Sequence, residues 1–341
     1  VVYRVFLFYG RIDADVVTDN VLREATEEAI GGSSVDHVVG LALDPVYDQG
    51  GQRREDLSHM WVDNDYVLDL RQSLGDKVLL GASVHPYDLN FEARVRQYVE
   101  AGAVLLKWLP SAQQIDLADE RVQDRLRFLA TVRDGAPLPV LLHVGPEYAV
   151  PSSDPRTAGY DCLSWNWWDG VKNRLRGDDR WHEPRTAQIE ENLRAGLGEG
   201  AVLIFAHCGL PYYAPNWLKR VFEHSELKTI RRYLEDFPAT APEGGRCYTD
   251  VSACVTPFRR SYFGEIDRLP PESLLFGSDF PTPVFELSAG LAENFEDLKA
   301  ILDGQLDRVI VPEDNLVDVN RQELEHFFRG HPMFANFETL L

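Results

Sequence analysis

Short apolar runs alternate along the chain with longer segments in which apolar and polar positions recur at helical spacing. Most of the short runs are almost continuously hydrophobic, which is typical of parallel strands buried on both faces. The predicted strands are His37–Leu43, Lys77–Val84, Ala103–Trp108, Pro139–Val144, Ala201–Ala206, Cys247–Val251 and Ser273–Phe276. The predicted helices are Thr18–Ile30, Asp63–Leu74, Glu92–Ala101, Glu120–Arg133, Arg185–Leu197 and Trp217–Phe237.

This alternation of strand and helix predicts a parallel sheet with crossover helices. We predict one α/β domain over residues 1–341, a TIM-type (β/α)8 barrel. The rival architecture, an open doubly wound sheet, usually carries a glycine-rich phosphate loop after its first strand, and the sequence contains none.

Seven strands are one short of a closed barrel. Val1–Phe8 is apolar enough for the missing strand but carries no residue of a metal-ligating type. We therefore expect the first strand to lie upstream of Val1, missing from the recorded N-terminus. Residues 145–184 form the longest irregular stretch and are predicted to be a loop or lid. The tryptophan cluster within it has three possible roles: a cap over an apolar substrate, a homodimer contact, or part of the core.

Charge and composition narrow the classes of partner. The chain has 34 Lys and Arg against 55 Asp and Glu, a net charge of −21, which disfavours nucleic acids and anionic membranes. No stretch is apolar for long enough to cross a membrane. The four cysteines form no Cys-x-x-Cys pair, which favours reduced thiols in a cytoplasmic protein. A small-molecule substrate is the partner that remains.

Five consecutive predicted strands end in a polar residue that packing alone does not explain: Lys107, His143, His207, Asp250 and Asp279. In a barrel, residues at the carboxyl ends of strands point into the active site. Each has a structural alternative when taken singly, such as a hydrogen-bonded histidine, a lysine reaching the surface, or an aspartate capping a turn. Their occurrence together favours a site.

His143, His207 and Asp279 are the nitrogen and oxygen donors that Zn²⁺ and similar ions use. A bound cation of this kind lowers the pKa of a water ligand toward neutrality. Asp279 is the predicted proton carrier, and His207 the residue that polarises a substrate carbonyl. The sequence therefore predicts a divalent metal, Zn²⁺ first and Mn²⁺ second.

Several motifs resemble the amidohydrolase superfamily, specifically the amidohydrolase-2 branch that includes relatives of aminocarboxymuconate-semialdehyde decarboxylase. The resemblance covers about residues 35–285. It is carried by Gly81-Ala82-Ser83-Val84-His85-Pro86-Tyr87, Lys107-Trp108-Leu109-Pro110, His143, Ala206-His207-Cys208-Gly209 and Gly277-Ser278-Asp279-Phe280-Pro281.

The resemblance implies a role for each matching position. His143 corresponds to the metal-ligating histidine of the fifth strand, His207 to the sixth-strand histidine, and Asp279 to the eighth-strand aspartate that binds metal and moves protons. Lys107 stands where binuclear members carry a carbamylated lysine; as an alternative it binds a substrate carboxylate as a cation. Whether one or two metals bind is open.

One departure from the family pattern concerns its His-x-His pair on the first strand, which this sequence lacks. We expect the pair upstream of Val1; without it, two ligands are missing. Trp108, His85 and Asp250 are predicted to line the substrate pocket. For His85 a structural hydrogen bond at the strand end is the alternative, and for Asp250 it is support of Lys107 or of a histidine.

Three functions are consistent with the sequence. The favoured one is a metal-dependent hydrolase of a small carboxylic ester, lactone or amide. The second is a metal-dependent non-oxidative decarboxylase on the same scaffold. The third is a barrel without metal that has a binding or structural role.

Overall fold

Seven strands form the centre of the fold. The computed structural model describes residues 17–145, 147, 150–152, 154, 183–209, 226–255, 259, 262–281 and 315–340. The strands are β1 Val38–Leu41, β2 Val78–Ala82, β3 Ala103–Trp108, β4 Val140–Leu142, β5 Val202–Phe205, β6 Arg246–Asp250 and β7 Leu274–Leu275. Each lies within, or within one residue of, one of the seven predicted runs, so all seven strand predictions are confirmed.

All seven strands belong to one sheet, in which every strand pairs in parallel with the next one along the chain. A doubly wound sheet would reverse its strand order at a switch point, and this sheet does not. The result is an α/β fold with a curled parallel sheet of the kind found in TIM-like barrels. The predicted first strand, at Val1–Phe8 or upstream, lies outside the described residues.

Helices separate the strands. The longer ones are α1 Asp19–Gly32, α2 Asn64–Leu74, α3 Phe91–Glu100, α4 Glu120–Leu129, α5 Glu183–Gly198, α6 Glu226–Asp236 and α7 Leu316–Phe327. Single-turn helices lie at Pro110–Gln113 and Phe263–Ile266. The six predicted helices are confirmed with shifted ends, although the predicted start of the sixth, at Trp217, lies outside the described residues. The predicted lid at 145–184 and its tryptophans also lie largely outside them.

Alternation along the strands creates two apolar faces. Leu106, Leu142 and Phe205 belong to the large cluster that includes helix residues, so they face outward toward the helices. Leu105 and Leu141 alternate with them and belong to a second cluster made mainly of strand residues. We call the surface formed by this second cluster the inner face of the sheet.

None of the described helices combines the length and the apolarity that crossing a membrane requires.

Gly245, just before β6, is needed where this strand passes the end of α5. A Cβ at this position would lie 2.8 Å from both the Cα and the carbonyl carbon of Leu197, and closer still to the carbonyl oxygen. Because backbone cannot move aside as a flexible side chain does, we expect Gly245→Ala to lower the free energy of unfolding by about 1–3 kcal/mol. Urea denaturation measures this. Gly264→Ala is the control, since its Cβ meets nothing within 4 Å; equal midpoints for the two variants would contradict the packing argument.

Candidate active site at the carboxyl end of the sheet

Strand alternation places three of the predicted site residues on one face. Lys107 follows Leu105 by two positions, His143 follows Leu141 by two, and Asp250 ends β6, so these side chains share the inner face of the sheet. All three are buried, with 9%, 5% and 7% of their surface exposed. Because all strands are parallel, these residues meet at the same edge of the sheet.

The two histidines lie side by side. The rings of His143 and His207 are 5.1 Å apart between centroids and meet edge to face. The His143 N–H donates to the Trp108 carbonyl at 3.0 Å, which continues the β3–β4 pairing past the end of β4. The structure therefore brings together two imidazoles that the sequence assigned to one site.

Glu147 adds a carboxylate to this pair. Its Oε2 lies 3.5 Å from Nε2 of His143, and its side chain is only 8% exposed. Its Oε1 accepts a hydrogen bond from the Val150 N–H at 3.0 Å. From the sequence alone, a carboxylate just beyond His143 is expected to be a solvated loop residue, with substrate binding as the alternative; the structure buries it against His143.

His207 reaches the site through a left-handed turn. It follows β5 with φ 58° and ψ 30°, and Cys208 after it has φ 50°. The turn alters the strand alternation, so His207 comes to lie beside His143. Its ring nitrogen Nδ1 lies 2.7 Å from the Ser252 hydroxyl and 3.2 Å from the Ser252 carbonyl oxygen.

Asp250 supports His207 through its backbone and through Ser252. Its Oδ1 accepts the His207 N–H at 3.0 Å, the Ser252 N–H at 2.9 Å and the Ser252 hydroxyl. The same oxygen lies 3.7 Å from His207 Nδ1. These contacts agree with the alternative of a supporting role, whereas a contact of Asp250 with substrate stays a prediction.

Lys107 is a desolvated cation beside carboxylates. Burial lowers its pKa from 10.5, while the negative charges of Asp250, Asp279 and Glu147 oppose that shift. Among the described residues none lies close enough to form an ion pair with its ammonium group. The backbone of Lys107 is fixed, since its carbonyl accepts the Ser83 hydroxyl at 2.8 Å. Lys107 is thus held at the site, and no ion pair with a described residue neutralises its charge.

Asp279 lies two residues beyond Gly277 at the end of β7, where it is exposed. Its φ is 53°, and the Phe280 N–H donates to the neighbouring Ser278 hydroxyl at 3.3 Å. Its charge acts on Lys107, which places it at the same edge of the sheet. Its predicted role as proton carrier stays a prediction.

Left-handed backbone is concentrated at this edge. Six non-glycine residues of the described segments have positive φ, and four of them lie within four residues after the end of β5, β6 or β7: His207, Cys208, Ala253 and Asp279. Such conformations cost about 1–3 kcal/mol each and tend to cluster at functional sites. Their position agrees with a site at the carboxyl edge.

The predicted metal ligands are only partly assembled. The described residues contain no group of three or more His, Cys, Asp or Glu side chains that is arranged to hold a metal ion. His143 and His207 supply two donors of the right type in adjacent positions. The complete set of His143, His207 and Asp279 therefore stays a prediction.

Two predicted substrate-binding residues are interior instead. Trp108 is fully buried, and its indole N–H donates to the Val84 carbonyl at 2.9 Å. His85 is also fully buried: Nδ1 accepts the Tyr87 N–H at 3.1 Å, so Nε2 carries the proton and donates to the Gln113 carbonyl at 2.9 Å. These contacts agree with the structural alternative for His85, whereas a role of either side chain in substrate binding stays a prediction.

The sequence assigned no role to Ser252 and Cys208, and for Glu147 it favoured a solvated loop carboxylate over substrate binding. A usable signal existed for Ser252, because it follows Asp250 by two positions and so continues the inner face. Cys208 is buried, and the neighbouring Cys254 thiol, together with burial, raises its pKa. A thiol of this kind is protonated and is not a nucleophile.

No protein-family model and no curated protein matches this chain. Solved structures do. A protein assigned as a 2-pyrone-4,6-dicarboxylic acid hydrolase from Pseudomonas putida aligns over 89% of this chain and 87% of its own, at 14% identity and TM-score 0.43. A protein of the same assignment from Acinetobacter baumannii covers 88% of both chains, at 13% identity and TM-score 0.41. A 5-carboxyvanillate decarboxylase from Sphingomonas paucimobilis covers 78% and 71%, at 13% identity and TM-score 0.36.

Hydrolases and decarboxylases both occur among these neighbours, and another is an amidohydrolase II. With TM-scores below 0.5 and such low identities, this likeness carries no weight for the activity of the chain, so the case for an activity rests on the residues themselves.

Burial of neutral His85 makes stability depend on pH. Burial lowers its pKa from 6.5 to about 3. Between these values the unfolded chain binds a proton that the folded chain does not, so stability falls as pH decreases from 6.5 toward 3, by up to about 1.4 kcal/mol per pH unit. We expect His85→Gln to flatten this slope, measured by urea unfolding at several pH values between 6.5 and 4. Exposed His326→Gln is the control and should keep the wild-type slope; an equal slope in His85→Gln would contradict the assignment.

Proposed function

We propose that this chain is a (β/α)8-barrel enzyme of the amidohydrolase type that hydrolyses a small carboxylic ester, lactone or amide. The observation that carries this proposal is the pair of buried imidazoles, His143 and His207, whose ring centroids are 5.1 Å apart at the carboxyl ends of adjacent strands. Buried histidines on a packed sheet normally have structural partners, whereas two that contact each other and nearby carboxylates, at an edge that also carries a desolvated lysine, form a site able to move protons.

His207 has the geometry of a general base or of a ligand. Its Nδ1 is bonded inward to Ser252, so the opposite nitrogen, Nε2, is the one available to a reacting molecule. His143 lies against it and beside Glu147. An imidazole held in this way can accept a proton from an attacking water when it does not bind a metal.

Lys107 supplies positive charge where negative charge develops. Hydrolysis of an ester or amide places a negative charge on the carbonyl oxygen in the transition state. A cation in a site shielded from water acts more strongly on that oxygen than an exposed one. The same ammonium would also bind a substrate carboxylate. The lowered pKa makes its neutral form, which carbamylation requires, more accessible, so that alternative is retained.

Asp279 is the proposed proton carrier. It is exposed at the rim, so protons can exchange between its carboxylate and solvent. The negative charge of Asp279 acts on Lys107, which supports a position close to the proposed reaction centre. We assign it the transfer of a proton to the leaving group.

We propose a divalent metal, Zn²⁺ or Mn²⁺, as cofactor, with His143 and His207 as two of its ligands. Neutral imidazoles suit both ions, but the described residues provide only these two donors together. When bound, such an ion supplies activated water and polarises a carbonyl. An ion bound at Nε2 of His207 would occupy the lone pair that otherwise accepts a proton, so Asp279 would then take the proton of the attacking water. The contributions of Lys107 and Asp279 described above come from the chain itself.

Turnover tests the reaction class. We expect hydrolysis of at least one member of a panel of small carboxylic esters, lactones and amides, and a loss of kcat of about 10²–10⁴-fold in Asp279→Asn. Asp124→Asn, which changes an exposed helix carboxylate paired with Arg127, should retain full activity. Circular dichroism checks that the variants fold.

The products distinguish the alternatives. Release of CO₂ from a carboxylic acid without hydrolysis would contradict the hydrolase and support the decarboxylase. Absence of any turnover, with wild-type protein folded and supplied with metal, would favour the barrel with a binding or structural role. Full activity of Asp279→Asn would remove Asp279 from the mechanism.

Metal content tests the cofactor separately. We expect about one equivalent of metal or more after supplementation with Zn²⁺ or Mn²⁺, measured by elemental analysis of purified protein. Replacing both His143 and His207 by Asn should remove it, since imidazole is the better ligand. Exposed His326→Asn is the control. Metal retained by the double variant, or absent from the folded wild type, would contradict this part of the proposal.

A further inference from the structure

Among the described residues, Ser252 lies within hydrogen-bond distance of the His207 ring through two of its atoms. The carbonyl oxygen of Ser252 lies 3.2 Å from Nδ1 and its hydroxyl oxygen lies 2.7 Å from it. A carbonyl oxygen can only accept a hydrogen bond, so its position favours a proton on Nδ1, and the hydroxyl can accept from the same N–H. The surroundings of His207 therefore favour one tautomer.

The remaining hydrogen-bond directions follow from this one. The Ser252 hydroxyl accepts from the Nδ1–H, so its own proton is donated elsewhere, and the Oδ1 of Asp250 lies within hydrogen-bond distance. A carboxylate only accepts, which is consistent with that direction. Asp250 also accepts the backbone N–H groups of His207 and Ser252. One carboxylate therefore holds the backbone of both residues that the Ser252–His207 hydrogen bond joins.

Gly277 independently shows how closely Ser252 is packed. A Cβ at Gly277 would lie 3.1 Å from Cβ and 3.4 Å from Oγ of Ser252. The separation from Cβ is tighter than ordinary van der Waals contact and that from Oγ is at its lower limit, so a side chain at this position would press on Ser252, whose hydroxyl bonds His207. Gly277, which lies after β7, thus limits the space available to Ser252, which lies after β6.

We propose that Ser252 is a positioning residue that fixes His207 in the Nδ1–H tautomer and leaves Nε2, on the side away from Ser252, with its lone pair free for substrate or metal. A second-sphere partner of this kind commonly sets the orientation of a catalytic or ligating imidazole. What Nε2 does rests on the proposed function; the tautomer and its dependence on Ser252 do not.

Long-range ¹H–¹⁵N spectra of protein labelled with ¹⁵N-histidine test this inference without any substrate. His207 is assigned by the signals missing from His207→Gln. We expect a protonated, pyrrole-type Nδ1 and an unprotonated, pyridine-type Nε2 in the wild type. In Ser252→Ala only the longer bond to the carbonyl remains, so exchange of the Nδ1 proton with water should accelerate about tenfold. Ser252→Thr, which keeps the hydroxyl, should restore the slow exchange.

The control is Ser83→Ala, which removes a buried hydroxyl bonded to the Lys107 carbonyl and should leave the His207 signals unchanged. An Nε2–H tautomer in the wild type, or wild-type exchange in Ser252→Ala, would overturn the proposal. Should Ser252→Ala fail to fold, Gly277→Ala keeps the hydroxyl but displaces it; shifted His207 signals in that variant support the proposal, and unchanged signals count against it.

Activity provides an independent readout once a substrate is found. We expect Ser252→Ala to lower kcat about tenfold with little change in KM, and Ser252→Thr to recover kcat. A change confined to KM would contradict a positioning role. If the wild type gives the expected NMR spectra but turns over no substrate, the proposed function is rejected and the tautomer assignment still holds.

Discussion

The parallel pairing of each strand with the next is the constraint on which the rest depends. Because the seven strands run in one direction and in chain order, seven separate stretches of sequence bring their carboxyl ends to one edge. Lys107, His143 and Asp250 are far apart along the chain yet share that edge and one face of the sheet. No direct contact between them is needed to place them together, since backbone hydrogen bonds do so.

This constraint also explains why the sequence predicted the fold well. A strand such as Val202–Phe205, with all four residues buried, is recognisable from apolarity alone. A helix such as Glu120–Leu129 is recognisable from apolar positions that repeat with the helical period, here Val122, Leu126 and Leu129. Both signals are local, so they survive without knowledge of tertiary contacts. The ends of elements depend on such contacts and were correspondingly less accurate.

The site was less predictable because its decisive features are not local. His85 lies after β2 and Trp108 ends β3, much as His143 follows β4, yet the side chains of His85 and Trp108 donate hydrogen bonds to backbone carbonyls distant in the sequence. Position at a strand end could not separate a residue that points into the site from one that points into the core. Glu147 shows the reverse error: a loop carboxylate looks solvated in sequence, whereas only the fold reveals His143 beside it.

Asp250 shows how unfavourable backbone conformations are stabilised at the carboxyl edge of the sheet. His207 and Cys208 hold left-handed conformations, at about 1–3 kcal/mol each. A hydrogen bond to a charged group contributes about 1.5–3 kcal/mol, and Asp250 accepts three of them, one from His207 itself. The two effects are comparable in size, so this carboxylate can hold the turn that aims His207 into the site. A residue predicted to touch substrate is, by its contacts, the one that stabilises the shape of the site.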